Sequence, residues 1–456
     1  MSTLKPLLAL VLSYGLVACS DSPSQGGADE PHPGSDSANA NAPAETGHDE
    51  AVDAGAGGPR SAATDAGKTS GLKPGNPAGS TDAGKSTAGA AATNVDAGGK
   101  PTDNRVGSDG GAGDASSASA AAAGEPEATG DCSMPPAAGK PVGWASESGG
   151  TTGGGTSSPM MITSFAALTA AAAGSTPATL WIKGSLTGDL TVGSNKTLIG
   201  LCGAELHGHV ELSGSANVIV RNLKIVGYAV GNCALDPSYK AAEGCSSGQD
   251  AMSIQNNAHH IWIDHCDISD GTDGNLDITN GANYITVSWT KFHYTPRSDN
   301  AGSDSTGAAG HRFSNLIGGT DSPKQDDAHT LNVTWHHDWW ADNVVERQPR
   351  VRFGKNHLFN NLWSSTQSNY CVRAGKQAQL LLEAGVFDGV ASPQVFNNST
   401  DQGTASITAK DNVYTNTSGT QATGGGGTPF TQPPYMYTVD STDGLADIIR
   451  KQAGPR

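Results

Sequence analysis

From Thr179 onward the sequence repeats short β-rich segments at intervals of roughly 20 to 25 residues, and that interval governs the fold. The segments are Leu180 to Ile182, Thr197 to Leu201, Asn217 to Ile225, His260 to Ile268, Tyr284 to Phe292, Leu331 to Trp335, His357 to Trp363, Leu380 to Phe387 and Ser406 to Tyr414. Gly, Asn and Asp separate them, and one helix is predicted, over Ser164 to Ala173. Strands at this spacing with no helices between them suit a coil of rungs, so the predicted fold is all-β, a parallel β-helix. A β-sandwich is the competing pattern, but it places turns about every 8 to 12 residues. Two longer gaps, Tyr228 to Gln249 and His293 to Ala328, are expected to be loops thrown out from the coil, where binding surfaces tend to sit.

The N-terminal third is a different material. Residues 1–18 carry Lys5 and then the apolar run Leu7 to Val17, the pattern of a secretory signal too short to span a membrane. The ending Leu16-Val17-Ala18-Cys19 resembles the lipobox of bacterial lipoproteins, which makes Cys19 the expected lipid-anchor cysteine; a chance cysteine after a plain signal is the alternative. Ser20 after it favours an outer-membrane destination by the same analogy. Residues 19–131 form an Ala/Gly/Ser/Asp-rich linker with no Phe, Tyr, Trp, Ile or Met and a single leucine, Leu72. It cannot bury enough apolar surface to offset its ordering entropy. Thr64-Asp-Ala-Gly-Lys68 recurs as Thr81-Asp-Ala-Gly-Lys85 without any hydrophobic period, so the repeat is low complexity and not a solenoid. From Ser20 to Asp131 the linker has 17 acids against 6 bases, net -11, and residues 132–456 have 27 against 20, net -7, so most of the chain's -17 belongs to the tether.

Seven cysteines accompany the export signal. With Cys19 set aside, Cys132, Cys202, Cys233, Cys245, Cys266 and Cys371 make an even number that suggests disulfides in an exported domain. Proximity singles out only Cys233 with Cys245. No Cys-x-x-Cys pair points to zinc.

Two clusters carry chemistry. Asp250, Asp273 and Asp277 lie among few basic residues and would repel one another unless a cation sat between them. Oxygen ligands alone favour a hard ion, Ca2+ before Mg2+, whereas Asp-Gly pairs also serve as ordinary turns between rungs. Arg347, Arg350 and Arg352 crowd into six residues of an acidic chain, which asks for an anionic partner. Arginine matches a carboxylate in a planar, two-point fashion, although charged gatekeepers on an edge strand give the same pattern. Period-two alternation puts Arg350 and Arg352 on one face and Arg347 on the other, unless Pro349 breaks the strand into a turn.

Ile261-Trp-Ile-Asp-His-Cys266, Asp273-Gly-Asn-Leu-Asp277, Gly281-Ala-Asn-Tyr-Ile-Thr-Val-Ser-Trp289 and Glu346-Arg-Gln-Pro-Arg-Val-Arg-Phe-Gly354, with His357 and Asn360-Asn361, resemble the pectate lyases of polysaccharide lyase family 1. The likeness runs from about residue 143 to 454, from Gly149-Gly-Thr-Thr-Gly-Gly-Gly155 to Pro434-Tyr-Met-Tyr437, which makes residues 132–456 the lyase-like domain. The resemblance implies a right-handed parallel β-helix and Ca2+-dependent β-elimination on α-1,4-linked polygalacturonate. It implies that Asp250, Asp273 and Asp277 hold the metal, Arg347 acts as base and Arg352 grips the substrate carboxylate. Arg350 and Arg312 are further substrate-binding candidates, and Asp264-His265 is expected to pack and hydrogen-bond behind the site. The acidic proton lies α to a carboxylate, so its removal builds charge that a cation and an arginine can stabilise. An arginine base needs its proton affinity lowered by its surroundings.

The sequence departs from the family pattern in two places. The lysine that family members often carry before Leu-Ile-Gly falls on Phe313, with Arg312 beside it, and Gly248 stands where some relatives have a further acid. The alternatives to a pectate lyase are a pectin lyase or lyase of another uronan, and a non-catalytic polyuronate-binding module. The expected partners are the polyuronate and, through the lipid anchor, a membrane; a monomer without nucleic acid is expected. Trp339 and Trp340 either line a sugar groove or pack against a rung.

Overall fold

The computed structural model describes residue 134 and residues 139–296, 311–323 and 329–456. Cys19, Cys132 and the signal and linker readings lie outside the described residues. The described strands form three sheets of ten, eight and nine strands, and all their ladders are parallel. Each complete rung contributes one strand to each sheet, giving a right-handed parallel β-helix. The interior is filled by stacked side chains in register. In the nine-stranded sheet one such ladder is Leu186, Leu206, Ile225, Ile268, Phe292, Trp340, Trp363, Phe387 and Tyr414. Its aromatic half is stacked nearly flat: Trp340 and Trp363 have ring centroids 5.0 Å apart, and Trp363 and Phe387 are at 4.2 Å.

Most of the sequence segments prove to be two strands joined by a corner. His260 to Ile268, for instance, divides into His259–Asp264 and Asp267–Ser269. The corner residues Asn222, His265, Trp289, His337, Asn360, Ala384 and Asp411 all adopt left-handed φ, between 47° and 58°. That conformation turns the chain sharply while leaving side chains on both flanking strands directed inward. Asparagines pay for the corners with side-chain hydrogen bonds to neighbouring rungs: Asn222 Nδ2 donates to Gly200 O at 2.8 Å and Asn361 Nδ2 to Trp335 O at 2.9 Å.

The expected helix is present as Phe165–Ala172, with Ser164 Oγ accepting from Ala167 N at its start. Two further helices, the single turn Ser399–Gln402 and Leu445–Gln452, were not predicted; the latter buries Leu445 and Ile449 against Leu362 and Val386 on the nine-stranded sheet. The gap His293 to Ala328 is not all loop, because it contains the strand Leu316–Ile317 of the eight-stranded sheet.

Not all cysteines expected to be in disulfides are. Cys233 and Cys245 are bonded, and Cys202 is also disulfide-bonded. Cys266 and Cys371 are free thiols, fully buried, and pack as small apolar side chains on different rungs. Trp340 is fully buried in the interior ladder, and Trp339 is half-buried beneath the C-terminal helix. Both tryptophans therefore pack against the coil.

Candidate active site on the eight-stranded sheet

The eight-stranded sheet, made of strands of two to four residues, gathers the two chemical clusters that are far apart in sequence. Asp250 precedes the strand Met252–Gln255, Asp273 lies in the turn before Leu276–Ile278, and Asp277 sits within that strand, paired with Ser253. A ligand atom from each of the three carboxylates lies within 4.8 Å of the others. Asp250 Oδ2 accepts from Ser253 Oγ at 2.9 Å, and Asp277 Oδ1 accepts from Leu316 N at 3.0 Å.

Of the three, Asp250 is poorly compensated by protein. Asp250 Oδ1 is buried with no hydrogen-bond partner. Burial, with Asp277 and Asp273 alongside, pushes the Asp250 carboxyl well above its ordinary range. Burial likewise pushes Asp277 up to about 7, with Arg347 opposing and Asp273 adding to the effect. A Cβ on Gly274 would stand 2.9 Å from both Asp250 Oδ1 and Asp277 Oδ1, so only glycine leaves that concavity open. Three convergent oxygens around a space kept clear by glycine fit a hard divalent cation.

Arg347 reaches the same place by a turn. Its φ is 57°, and the next peptide but one, Gln348–Pro349, is cis. The chain therefore does not run as a strand through Arg347, and the strand begins only at Arg350. Arg347 Nη1 lies 3.8 Å from Asp273 Oδ1, and its guanidinium carbon sits 4.7 Å from the centre of the Phe313 ring. Phe313 thus supports Arg347 from below at the position where a lysine was expected. His311, also buried, holds Asp273 as well, with Nε2 2.9 Å from Oδ1 and 2.8 Å from the main-chain oxygen.

The remaining arginines are distributed along the sheet. Arg350 pairs with Leu316 and Arg373 and points Nη2 at Asn397 Oδ1, 3.4 Å away. Arg352 is 2% exposed, donates Nη1 to Gly318 O at 2.6 Å and Nε to Asp321 Oδ1 at 3.0 Å. Arg312 is buried and donates to Gln367 Oε1 at 2.5 Å. Sequence reasoning did not single out Arg373, whose guanidinium carbon lies 3.5 Å from the Tyr370 ring centre. Its signal was positional, since it stands one rung on from Arg350. An open cavity of about 470 Å³, lined by Tyr370, Arg373, Ser392, Phe396 and Gln402 among others, continues along these rungs.

Asp264 and His265 are elsewhere. They end a strand of the ten-stranded sheet, where Asp264 accepts from Arg221 Nε at 2.7 Å and Ser288 Oγ at 2.6 Å, and His265 Nδ1 is 2.9 Å away. His357 belongs to that sheet too, bound to Glu383 and the Tyr435 hydroxyl at 2.9 Å each.

The comparisons with known proteins agree with this architecture. A family model described as pectate lyase matches residues 131–455. Pectate lyase plyB of Emericella nidulans is 31% identical over 326 residues, covering 69% of this chain and 89% of its own length. Pectate lyase B of Colletotrichum gloeosporioides is 33% identical over 297 residues, covering 63% and 77%. Among solved structures, pectate lyase Bsp165PelA from Bacillus sp. N165, in complex with trigalacturonate, aligns with a TM-score of 0.55 at 23% identity, covering 69% of this chain and 98% of that one. With the β-helix and these relatives in view, the chain belongs to the pectate lyases of polysaccharide lyase family 1 and is a polysaccharide lyase.

Proposed function

We propose that this enzyme cleaves α-1,4-linked polygalacturonate by Ca2+-assisted β-elimination, leaving a 4,5-unsaturated uronide at the new end. The observation that carries the reading is the convergence of Arg347 on Asp273, a member of the three-carboxylate cluster, through a turn that interrupts the strand. In this reading Asp250, Asp273 and Asp277 hold the cation. When bound, it would neutralise these carboxylates and help stabilise charge on the uronate carboxylate.

The chain's own residues do the rest. Arg347, held between Phe313 and Asp273, takes the C5 proton, which lies α to the carboxylate. The electron pair left behind forms the C4–C5 double bond as the glycosidic oxygen departs from C4 and takes a proton from water. Arg352 meets the carboxylate of the reacting uronate, and Arg350 and Arg312 serve neighbouring carboxylates. The burial of both arginines supports this assignment: exclusion of water disfavours the charged form of Arg347, as a base requires, and strengthens the grip of Arg352 on a carboxylate.

The test is ultraviolet absorbance of the conjugated product from polygalacturonate, with Ca2+ and then with chelator. Absorbance that needs Ca2+ and falls by about 10²- to 10⁴-fold in Arg347→Lys supports the reading. No product from polygalacturonate or methylated pectin, by a folded protein, sinks it. We also propose export and acylation at Cys19, which would hold the enzyme at the outer membrane. Labelled palmitate incorporated equally by the chain and by Cys19→Ala would overturn that part.

A further inference from the structure

Two cations on the floor of the site share one carboxylate of the protein. Arg352 follows the strand Arg350–Val351, and Lys376 follows Val372–Ala374 on the next rung. Asp321 bridges them, with Oδ1 3.0 Å from Arg352 Nε and Oδ2 2.8 Å from Lys376 Nζ. Lys376 Nζ is also 3.6 Å from Asp401 Oδ1. The three partners differ sharply in burial: the side chain of Arg352 is 2% exposed, that of Lys376 30% and that of Asp321 56%. The guanidinium is fixed by the coil and by Gly318 O. The carboxylate arrives from outside, on the turn that leaves Leu316–Ile317 through Gly318 and Gly319.

The geometry limits what can bind there. An Nε–H has one hydrogen and therefore one good acceptor position, and Asp321 Oδ1 fills it. A ligand carboxylate that is to reach Arg352 Nε and Lys376 Nζ together must take the place of Asp321. We propose that Asp321 is a resident stand-in for a uronate carboxylate: it bridges Arg352 and Lys376 in the free enzyme, and the substrate displaces it. The inference rests on the assignment of Arg352 as the residue that grips substrate, made above.

Exchanging one carboxylate for another leaves both cations matched while Asp321 swings into water, where it is already half immersed. A methyl ester brings no charge and cannot replace the carboxylate that Arg352 Nε and Lys376 Nζ share. Asp321 therefore sets the affinity of this subsite and selects an ionised uronate over an esterified one, giving up some affinity in return.

The experiment compares the full chain with Asp321→Asn and Asp321→Glu for KM and kcat on polygalacturonate and on fully methyl-esterified pectin. Trigalacturonate binding is measured by calorimetry alongside. The Asn variant is expected to lower KM for polygalacturonate by roughly three- to tenfold, with a smaller change in kcat, and to bind trigalacturonate more tightly by a similar factor. The Glu variant is expected to stay near the parent in KM. A KM that rises in Asp321→Asn, together with a lower thermal midpoint, would identify Asp321 as an anchor for Arg352 and overturn the proposal. An unchanged KM in the Asn variant, or a Glu variant as tight as Asn, also overturns it, while product formation by the parent chain leaves the lyase reading standing. Failure of the folded parent chain to act on or bind either substrate removes both.

Discussion

Asp264 shows how a single buried carboxylate of this protein is tied to pH. Burial alone would raise its pKa, but His265, Arg221 and Ser288 outweigh that and hold it at about 2, against an ordinary 3.8. A depressed carboxylate contributes stability that is complete above the unfolded value and lost as pH falls toward the folded one. The difference is worth about 2 kcal/mol, withdrawn between roughly pH 5 and pH 2. Asp264→Asn removes this acid-dependent part and breaks the buried Arg221–Asp264 ion pair, so at neutral pH it is expected to cost about 3 to 5 kcal/mol. Thermal midpoints measured from neutral to acid pH check this. The variant should start lower and fall less steeply than the parent, and an identical acid slope would remove Asp264 from the account. Arg347 illustrates the opposite use of a local cost. Its left-handed backbone carries a penalty of about 1 to 2 kcal/mol that the surrounding fold must absorb, and in exchange the guanidinium reaches Asp273.

At the level of elements, the loop Tyr228 to Gln249 governs how Asp250 is presented. The Cys233–Cys245 disulfide closes it, and Asp236 fastens it by accepting from Gln249 N at 2.8 Å and Thr272 Oγ1 at 2.6 Å. The neighbour of Asp250 and the turn before Asp273 and Asp277 are thus held by the same carboxylate. Replacing both cysteines with alanine is expected to cost about 2 to 4 kcal/mol and, with Ca2+ at the three carboxylates as proposed, to raise the Ca2+ needed for half-maximal activity by roughly tenfold. A Ca2+ titration of product formation reads this, and an unshifted midpoint in a destabilised variant would confine the disulfide to stability. The ten-stranded sheet was legible because its strands run to four to six residues and hold the densest apolar and β-branched residues. The eight-stranded sheet was not, although it bears the site. Leu316–Ile317 and Arg350–Val351 are two residues each, too short for alternation to register, and their outward positions are given to Asp277, Arg350 and Arg373. The acidic and basic clusters were visible as residue types, but their meeting depends on the Arg347 turn and on rung register, which emerge only when the coil closes. Asp321 meets partners remote in sequence, Arg352 and Lys376, so it did not announce itself, and Phe313 showed only as a departure from the family pattern, without its contact to Arg347.

Across the whole molecule, parallel rungs present a particular hazard, because a coil that grows by adding rungs can also accept a strand from another chain at either end. Both ends of the described coil are covered. At one end the helix Phe165–Ala172 packs Leu168 and Ala172 into the core, and Gly193 N donates to Ala172 O at 2.8 Å. At the other, the segment around Gly424 crosses antiparallel to Ile407 and exchanges two 2.8 Å hydrogen bonds with it. Leu168 is fully buried, so a charge there cannot be solvated while the helix stays docked. Leu168→Asp is therefore expected to lift the helix from the first rungs and open that end. The consequence differs from that of an ordinary core mutation, which lowers the thermal midpoint of a chain that remains monomeric. Here light scattering during size-exclusion chromatography should detect oligomers that grow with protein concentration well below the unfolding temperature. Rung-internal Ile254→Ala, at a position equally buried, should lose about 2 to 5 kcal/mol without associating. If the two variants behave alike, either both associating or both remaining single, the N-terminal helix contributes only packing and the end-capping argument fails.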